Sequence, residues 1–426
     1  MSAFGRRLRV LFSEGSSLSA RHALSALGPA GHVLDLLDPQ PWCLGRFSRY
    51  VHAWYRCPPF AADPAGYLEA LEKRLHEGQY DVLLPVHDQV YLLSRFRDRL
   101  GKQVKLAVPP FAALERLQSK AEFVRLLTEL KLGQPATELV RRRQDLESWT
   151  VYPCFVKLAY GTAGRGVWHV RDSAEMRPLA AQLQNCGHLD NSSEILIQKP
   201  AQGSFCVIQS VFQHGQLVAA HSYQARALGV GGSAWARIGV DHPEARQDLA
   251  RLGEHLGWHG ALHLEYLHDP VTDTALYVDA NPRIGETMNA TLSGVNFCQL
   301  LLQVSLDECA LPASPSGSGI RTHSFMMSLL ALAQQHASRR RLSAECWNAL
   351  SGRGLYRDSE EELTRIRQDP WSLLPALVVA LRLVLRPSVA DSIVQRAVTQ
   401  YALSERAART IRDLPTKVGP VPCPSA

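Results

Sequence analysis

Over the first 110 residues, short β-rich runs alternate with helical stretches, and this alternation constrains the fold more than any other property of the chain. RVLF (9–12), HVLDLLD (32–38) and YDVLLPV (80–86) read as strands. Between and after them, SARHALSALGPAG (19–31), DPAGYLEALEKRLHEG (63–78) and VYLLSRFRDRL (90–100) carry helical spacing. Gly31 is a stop signal, Asp63 is a helix N-cap, and Leu68, Leu71 and Leu75 recur on one helical face. LAVPP (106–110) closes the pattern. Strand–helix alternation of this kind predicts a parallel α/β layer.

A different grammar follows. FAALERLQSKAEFVRLLTELKLG (111–133) reads as a helical segment ended by Gly133 and Pro135. YPCFVKL (152–158) and GVWHV (166–170) then read as two strands around a glycine-bearing loop. From about residue 195 the strands lengthen: EILIQKP, then SFCVIQSVFQHGQLVAAHSYQA, GALHLEYLHD and TALYVDANP. Gly215 falls at a hairpin turn and LARLGEHLGW is a helix. ALPASPSGSG (310–319) is the clearest linker, the chain beyond it reads as mostly helical, and KVGPVPCPSA (417–426) reads as a disordered tail. The expected fold is therefore α/β with α+β. Its divisions are 1–110, a parallel α/β domain; 111–195, a small lobe with a glycine-rich flap; 196–319, a large lobe; and 320–426, a helical extension.

Chemistry concentrates in three places. In FVKLAYGTAGRGVWHV, Lys157 ends a strand, and Gly161, Thr162, Gly164 and Gly166 lie in the turn to the next. Glycines let backbone N–H groups approach phosphate oxygens, and a lysine adds a point charge. The loop joins strand to strand, which separates it from a Walker A loop or a dinucleotide fingerprint; a plain glycine-rich hairpin is the bland reading. In LHLEY and LYVDANPRI, Glu265 and Asp279 sit on successive strands, and Asn281 alternates with Asp279 onto one face. Two carboxylates and an amide oxygen suit Mg2+ bridging to nucleotide phosphates. Arg283 offers a planar guanidinium to a carboxylate or a developing phosphoryl charge. A surface hairpin with its polar residues outward is the alternative. In EILIQKPAQG, a strand runs into Gln198, Lys199 and Pro200, which suits an interdomain hinge reading an adenine edge, or a simple strand end.

In this order, the three features resemble the ATP-grasp superfamily. The closest likeness is to carboxylate–amine ligases related to the carbamoyl-phosphate synthase large chain and to biotin carboxylase. The resemblance covers residues 5–310 and implies a pre-ATP-grasp domain followed by a two-lobed ATP-grasp core. It places Lys120, in LQSKAEF, and Lys157 on the ATP phosphates, and Gln198 with the Lys199 backbone on adenine. It makes Glu265, Asp279 and Asn281 the ligands of Mg2+, with Mn2+ as the alternative ion, and puts Arg283 on the acyl phosphate. Two departures stand out: the second carboxylate is aspartate where the family usually has glutamate, and Ser204 stands where many relatives are acidic. The implied activity joins a small-molecule carboxylate to an amine, with release of ADP and phosphate. The alternatives are an ATP-dependent carboxylase or carbamoyl phosphate-type enzyme, and a nucleotide-binding regulatory protein without turnover.

GVGGSAWARIG (229–239) is positioned to line the substrate pocket, with Arg237 as the contact to an acidic substrate group or as a surface arginine. The formal net charge of +6 suits small anions without demanding nucleic acid. Nine scattered cysteines, with no CxxC pair and no zinc spacing, read as reduced thiols in a cytoplasmic protein. The N-terminal apolar run is too short for a secretory signal. WSLLPALVVALRLV (371–384) is too short to span a bilayer and is interrupted by Pro375 and Arg382. It is expected to be a buried helix packed on the core, with a dimer interface or interfacial membrane contact over the 371–385 segment as the alternative.

Overall fold

The computed structural model describes residues 6–161, 164–189, 194–308 and 317–416. The 310–319 linker and the 417–426 tail therefore lie largely or wholly outside the described residues. Strands β1 (Arg9–Phe12), β2 (Val33–Leu37), β3 (Val51–Tyr55) and β4 (Val82–Leu84) form an all-parallel sheet in the order β3-β2-β1-β4. Val10, Leu11 and Phe12 are fully buried, as expected of a strand covered on both faces. Ser17 caps the helix Leu18–Leu27 by accepting from the Ala20 N–H, and Asp63 does the same for Pro64–Gly78 through the Gly66 N–H. β3 has no counterpart in the sequence reading, and the LAVPP run forms no strand; Lys105, just before it, makes an isolated parallel bridge to Val82.

The helical segment expected over 111–133 is two helices, Phe111–Gln118 and Lys120–Glu129. Ser119 breaks it: its backbone is extended and its side chain caps the second helix. The break makes Lys120 a first-turn residue, and its N–H donates to the Ala159 carbonyl at 2.9 Å.

Strands β5 (Thr137–Val140), β6 (Cys154–Leu158), β7 (Val167–Val170) and β8 (Ile195–Gln198) make a four-stranded antiparallel sheet ordered β5-β8-β6-β7. β8 straddles the 195/196 boundary drawn from the sequence. Its hydrogen bonds go to β5 and β6, so it belongs to the smaller sheet.

The larger sheet holds β9 (Ser204–Gln213), β10 (Gln216–Leu228), β11 (Ala234–Val240), β12 (Gly260–Asp269), β13 (Thr274–Asn281), β14 (Arg321–His323) and β15 (Glu360–Glu361). Their order is β13-β12-β9-β10-β11-β14-β15. The β9–β10 hairpin turns at His214 and Gly215, both at positive φ, the two-residue turn that matches strand twist. Against β9 packs the helix Pro243–His255. A Cβ on its Gly253 would lie 2.0 Å from the buried Phe212 ring. Gly253→Ala is therefore expected to lower the unfolding free energy by about 1–3 kcal/mol, read by urea titration.

The C-terminal region is less purely helical than its sequence. β14 and β15 extend the larger sheet beyond β11, supplying partners for an edge that would otherwise be bare. Among the described residues, the α-helices that complete it are Phe325–Gln334, Arg339–Ser351, Leu373–Leu385, Ala390–Tyr401 and Glu405–Asp413. The apolar segment after Trp371 is a half-buried helix, not the buried one expected. Ala376, Ala380 and Leu383 pack inward, whereas Leu377 is 51% exposed and Leu381 61%. Helical geometry turns an evenly apolar run through all directions, and only one face meets the neighbouring helix Phe325–Gln334. No helix among the described residues is long and apolar enough to cross a membrane.

Candidate active site

β12 and β13 pair so that Glu265 lies opposite Asp279 and His263 opposite Asn281. Directly opposed residues share a face, which brings two carboxylates and an amide together. Asn281 Nδ2 donates to Glu265 Oε1 at 3.1 Å. The Lys120 ammonium donates to both oxygens of Asp279, at 2.7 and 2.8 Å. Lys157, at the end of β6, donates to Gln198 Oε1 at 2.7 Å and to the Val278 carbonyl at 3.4 Å.

The electrostatics are those of a site built for charged ligands. Burial lowers Lys157 to about 8, with Asp279 opposing the shift and Lys120 adding to it. Burial raises Glu265 to about 7, Asp279 pushes in the same direction, and Lys120, Arg283 and Lys157 pull it back.

Arg283 is held from two sides. Its Nε donates to Asp88 Oδ1 at 2.8 Å and its Nη2 to Asn281 Oδ1 at 3.0 Å. Asp88 also accepts from the Leu403 N–H at 2.8 Å and contacts His87 at 3.1 Å. Burial alone would raise the Asp88 carboxyl, but His87, Arg283 and the Leu403 N–H hold it well below the usual carboxylate range. Burial and Arg283 lower His87 to about 4, and its ring lies 4.2 Å from that of Tyr401.

Gly161, Gly164 and Arg165, from the glycine loop between β6 and β7, line the same cavity as this set. Gly164 and Gly166 adopt φ of 73° and 77°. A Cβ on Gly164 would come within 3.0 Å of the Gly231 Cα, so loop and 229–232 turn touch backbone to backbone. Arg165 reaches the helix Ala390–Tyr401, with Nη2 donating to the Gln395 carbonyl at 3.1 Å and Nη1 to Thr399 Oγ1 at 3.3 Å.

One cavity of about 630 Å³ collects Lys120, Lys157, Gly161, Gly164, Glu265, Asp279, Asn281, Arg283 and Arg237 in its lining. Gly166, Gln198 and Lys199 are not among the lining residues. The Gln198 side chain is committed to Lys157 and to Thr137 Oγ1, and the Lys199 N–H pairs with the Ala136 carbonyl. Thr162 lies outside the described residues.

Arg237 is not the open guanidinium expected. It is 2% exposed, lies over the Tyr223 ring at 5.0 Å, donates to Glu362 at 2.8 Å and also pairs with Glu286. Two carboxylates neutralise it, and Glu286 shares the cavity wall.

The sequence reading passed over Asp88, His87, Glu286 and Tyr401. Asp88 had a signal: it follows β4, and open parallel sheets gather ligands at the carboxyl ends of their strands. Glu286 stands three residues after Arg283. Tyr401 and Glu362 carry no local signal, because their contacts are long-range. Nor does sequence spacing mark His214, His259 and Asp307, which bring one ligand-type atom each within 4.8 Å of one another; none of the three lines the cavity.

No protein-family model matches the chain. Acetyl-CoA carboxylase 2 of Oryza sativa subsp. japonica is 28% identical over 140 residues, which is 31% of this chain and 6% of that protein. Among solved structures, the chain is similar to the biotin carboxylase domain of Hydrogenobacter thermophilus 2-oxoglutarate carboxylase, in complex with MgADP, ADP and bicarbonate. The TM-score is 0.59 and the identity 13%, over 74% of each chain. L-amino acid ligase from Bacillus licheniformis aligns with a TM-score of 0.53 and 17% identity, over 71% of this chain and 74% of that one. N5-carboxyaminoimidazole ribonucleotide synthetase from Thermus thermophilus aligns at 0.54 and 19%, over 74% and 81%. The fold is therefore the ATP-grasp fold, as the motifs implied. Within that fold its neighbours are biotin carboxylases and ligases.

Proposed function

We propose that this protein is an ATP-dependent ligase that activates a carboxylate as an acyl phosphate and passes the acyl group to an amine, releasing ADP and phosphate. The observation that carries this reading is the β12–β13 register, which sets Glu265 opposite Asp279 beside Asn281, within one cavity shared with Lys120, Lys157 and Arg283. Neighbours of the same fold include enzymes solved with MgADP and an L-amino acid ligase.

The donor set fits Mg2+: two carboxylates and an amide oxygen are hard oxygen ligands, and the Glu265–Asp279 repulsion is relieved by a divalent cation. When bound, Mg2+ neutralises phosphate charge. Lys120 and Lys157 hold the phosphates. Both lysines now satisfy protein acceptors, Asp279 and Gln198, which a phosphate oxygen replaces. Arg283, oriented by Asp88 and Asn281, faces the charge that develops as the carboxylate attacks the γ-phosphorus and the bond to the ADP oxygen breaks. The glycine loop over the site excludes water from the acyl phosphate until an amine displaces phosphate. In this reading 1–110 and 320–426 supply walls, and 111–319 supplies nucleotide and metal ligands. A cytoplasmic setting suits the described cysteines, all free thiols.

A screen of ADP release across carboxylates and amines tests the reading. Release that needs both a carboxylate and Mg2+ supports it; ATP binding without ADP from any carboxylate refutes it. Release with bicarbonate alone would favour a carboxylase, the activity named for several neighbours of this fold. Gly164→Ala places a side chain at φ 73° against Gly231. Opposing loop closure, it is expected to slow ADP release roughly 5- to 30-fold, the equivalent of the left-handed backbone cost.

A further inference from the structure

The cavity extends well beyond the phosphate and metal residues, and its far wall has a different chemistry. The C-terminal helices contribute Met327, Leu330, Val379 and Val394 to the lining, and the first domain contributes Leu18 and Leu44. These side chains belong to one apolar cluster built on the helix Phe325–Gln334, so the wall is continuous with a packed core. Nucleotide phosphates and a divalent cation leave such a surface unused; adenine and the organic part of the acid are the two groups that can use it, and acid binding with an ATP analogue already in place separates them. Bicarbonate, with three oxygens on one carbon, offers it no apolar partner.

The buried cation at this end is already matched, and the exposed ones meet neutral acceptors or solvent. Arg237 is neutralised by Glu286 and Glu362, and Arg165 is bonded to Gln395 and Thr399. Arg396 also reaches the lining, from an exposed position on its helix. Among the described residues, a second anionic group on the substrate therefore has no buried free cation at this wall, whereas an alkyl or aryl group has several methyl-bearing side chains to displace water from. The methionine gives the wall an adaptable surface, which accommodates apolar groups of more than one shape.

We propose that the acid activated here is a monocarboxylic acid with an apolar group of several carbons, its carboxylate at Arg283 and its alkyl or aryl part against the Met327–Leu330–Val379–Val394 wall. This rests on the reading of the site as carboxylate-activating. It narrows that reading to a substrate class and sets bicarbonate aside.

The test is two ladders of acids, acetate to octanoate and glycine to phenylalanine, each given with ATP, Mg2+ and hydroxylamine. The amine nitrogen of hydroxylamine displaces phosphate from an acyl phosphate to give a hydroxamate. Binding of the same acids is measured in parallel by calorimetry, with a non-hydrolysable ATP analogue present. The expected result is hydroxamate formation whose kcat/KM rises roughly fourfold per methylene until the cavity is filled. The amino-acid arm decides whether an α-ammonium group is also wanted. Met327→Trp and Val394→Trp, which occupy the chamber from different helices, are each expected to lower the octanoate-to-acetate selectivity at least tenfold. A flat ladder, or a preference for bicarbonate, overturns the proposal and leaves carboxylate activation standing. Binding that climbs with chain length without any ADP overturns the reading of the reaction but keeps the apolar site. Flat binding without ADP overturns both.

Discussion

Replacing Asp279 with asparagine is expected to cut acid-dependent ADP release by roughly 10³-fold, with little change in the size or shape of the site. The yardstick is the loss on removing one preorganised electrostatic group from an active centre, about 10²–10³. Asp279 sits at the top of that range because it has two duties: it balances Lys120, which donates to both its oxygens, and it is half of the carboxylate pair that suits Mg2+. Asparagine keeps the volume and removes the charge. Steady-state ADP release at saturating ATP and Mg2+ measures the effect, with ATP binding followed separately. A residual rate within about threefold of the parent would remove Asp279 from the phosphoryl-transfer machinery. Glu265→Gln should follow the same pattern, since Glu265 already shares its burden with Lys120, Arg283 and Lys157.

Arg283→Ala should be damaging twice over. Turnover is expected to fall about 10²–10³-fold if, as proposed, the guanidinium faces the transferring group. Stability is expected to fall by about 3–5 kcal/mol, because Asp88, 2% exposed, loses the guanidinium paired with it at 2.8 Å. The two effects separate in a double substitution. Asp88→Asn added to Arg283→Ala removes the stranded charge, so urea denaturation should recover most of the lost stability while turnover stays low. His87 supplies a further check. Burial and Arg283 now lower its pKa to about 4. Without Arg283 that pKa rises, so protonated His87 can pair with Asp88 as the pH falls. The stability deficit of the single variant should therefore shrink between neutral and mildly acid pH. A double variant that remained as unstable as the single one would show that the Asp88 charge is not the cause.

The polar centre of this site was legible because it obeys local rules. Period-two alternation put Asp279 and Asn281 on one face, and hairpin pairing carried Glu265 to them. Glycines in a strand-to-strand turn marked the loop over the phosphate residues. Helix Lys120–Glu129 was half-legible: its apolar period was clear, but Ser119 reads as an ordinary polar residue until its side chain is seen capping the next turn. The walls were illegible for a different reason. Val394 and Leu18 meet at one cavity from opposite ends of the chain, and no period or spacing encodes such a meeting. Arg237 illustrates the same limit. Its residue type suggested an anion contact, whereas burial between Glu286 and Glu362, the latter 125 residues away, makes it an internal ion-pair partner. Gln198 and Lys199 were read as free to meet adenine, but sheet pairing and Lys157 take up those groups.

The short stretch from Gln395 to Leu403 touches the loop over the phosphates at Arg165 and, eight residues later, the carboxylate that steers Arg283. If the site works as proposed, a segment held at both ends in this way couples the two ligands. Any factor by which ATP tightens the acid is, by thermodynamic necessity, the factor by which the acid tightens ATP. The two affinities then form a closed square whose fourth side can be calculated from the other three, and Arg165→Ala, which cuts the tie to Gln395 and Thr399, is expected to lower the factor they share.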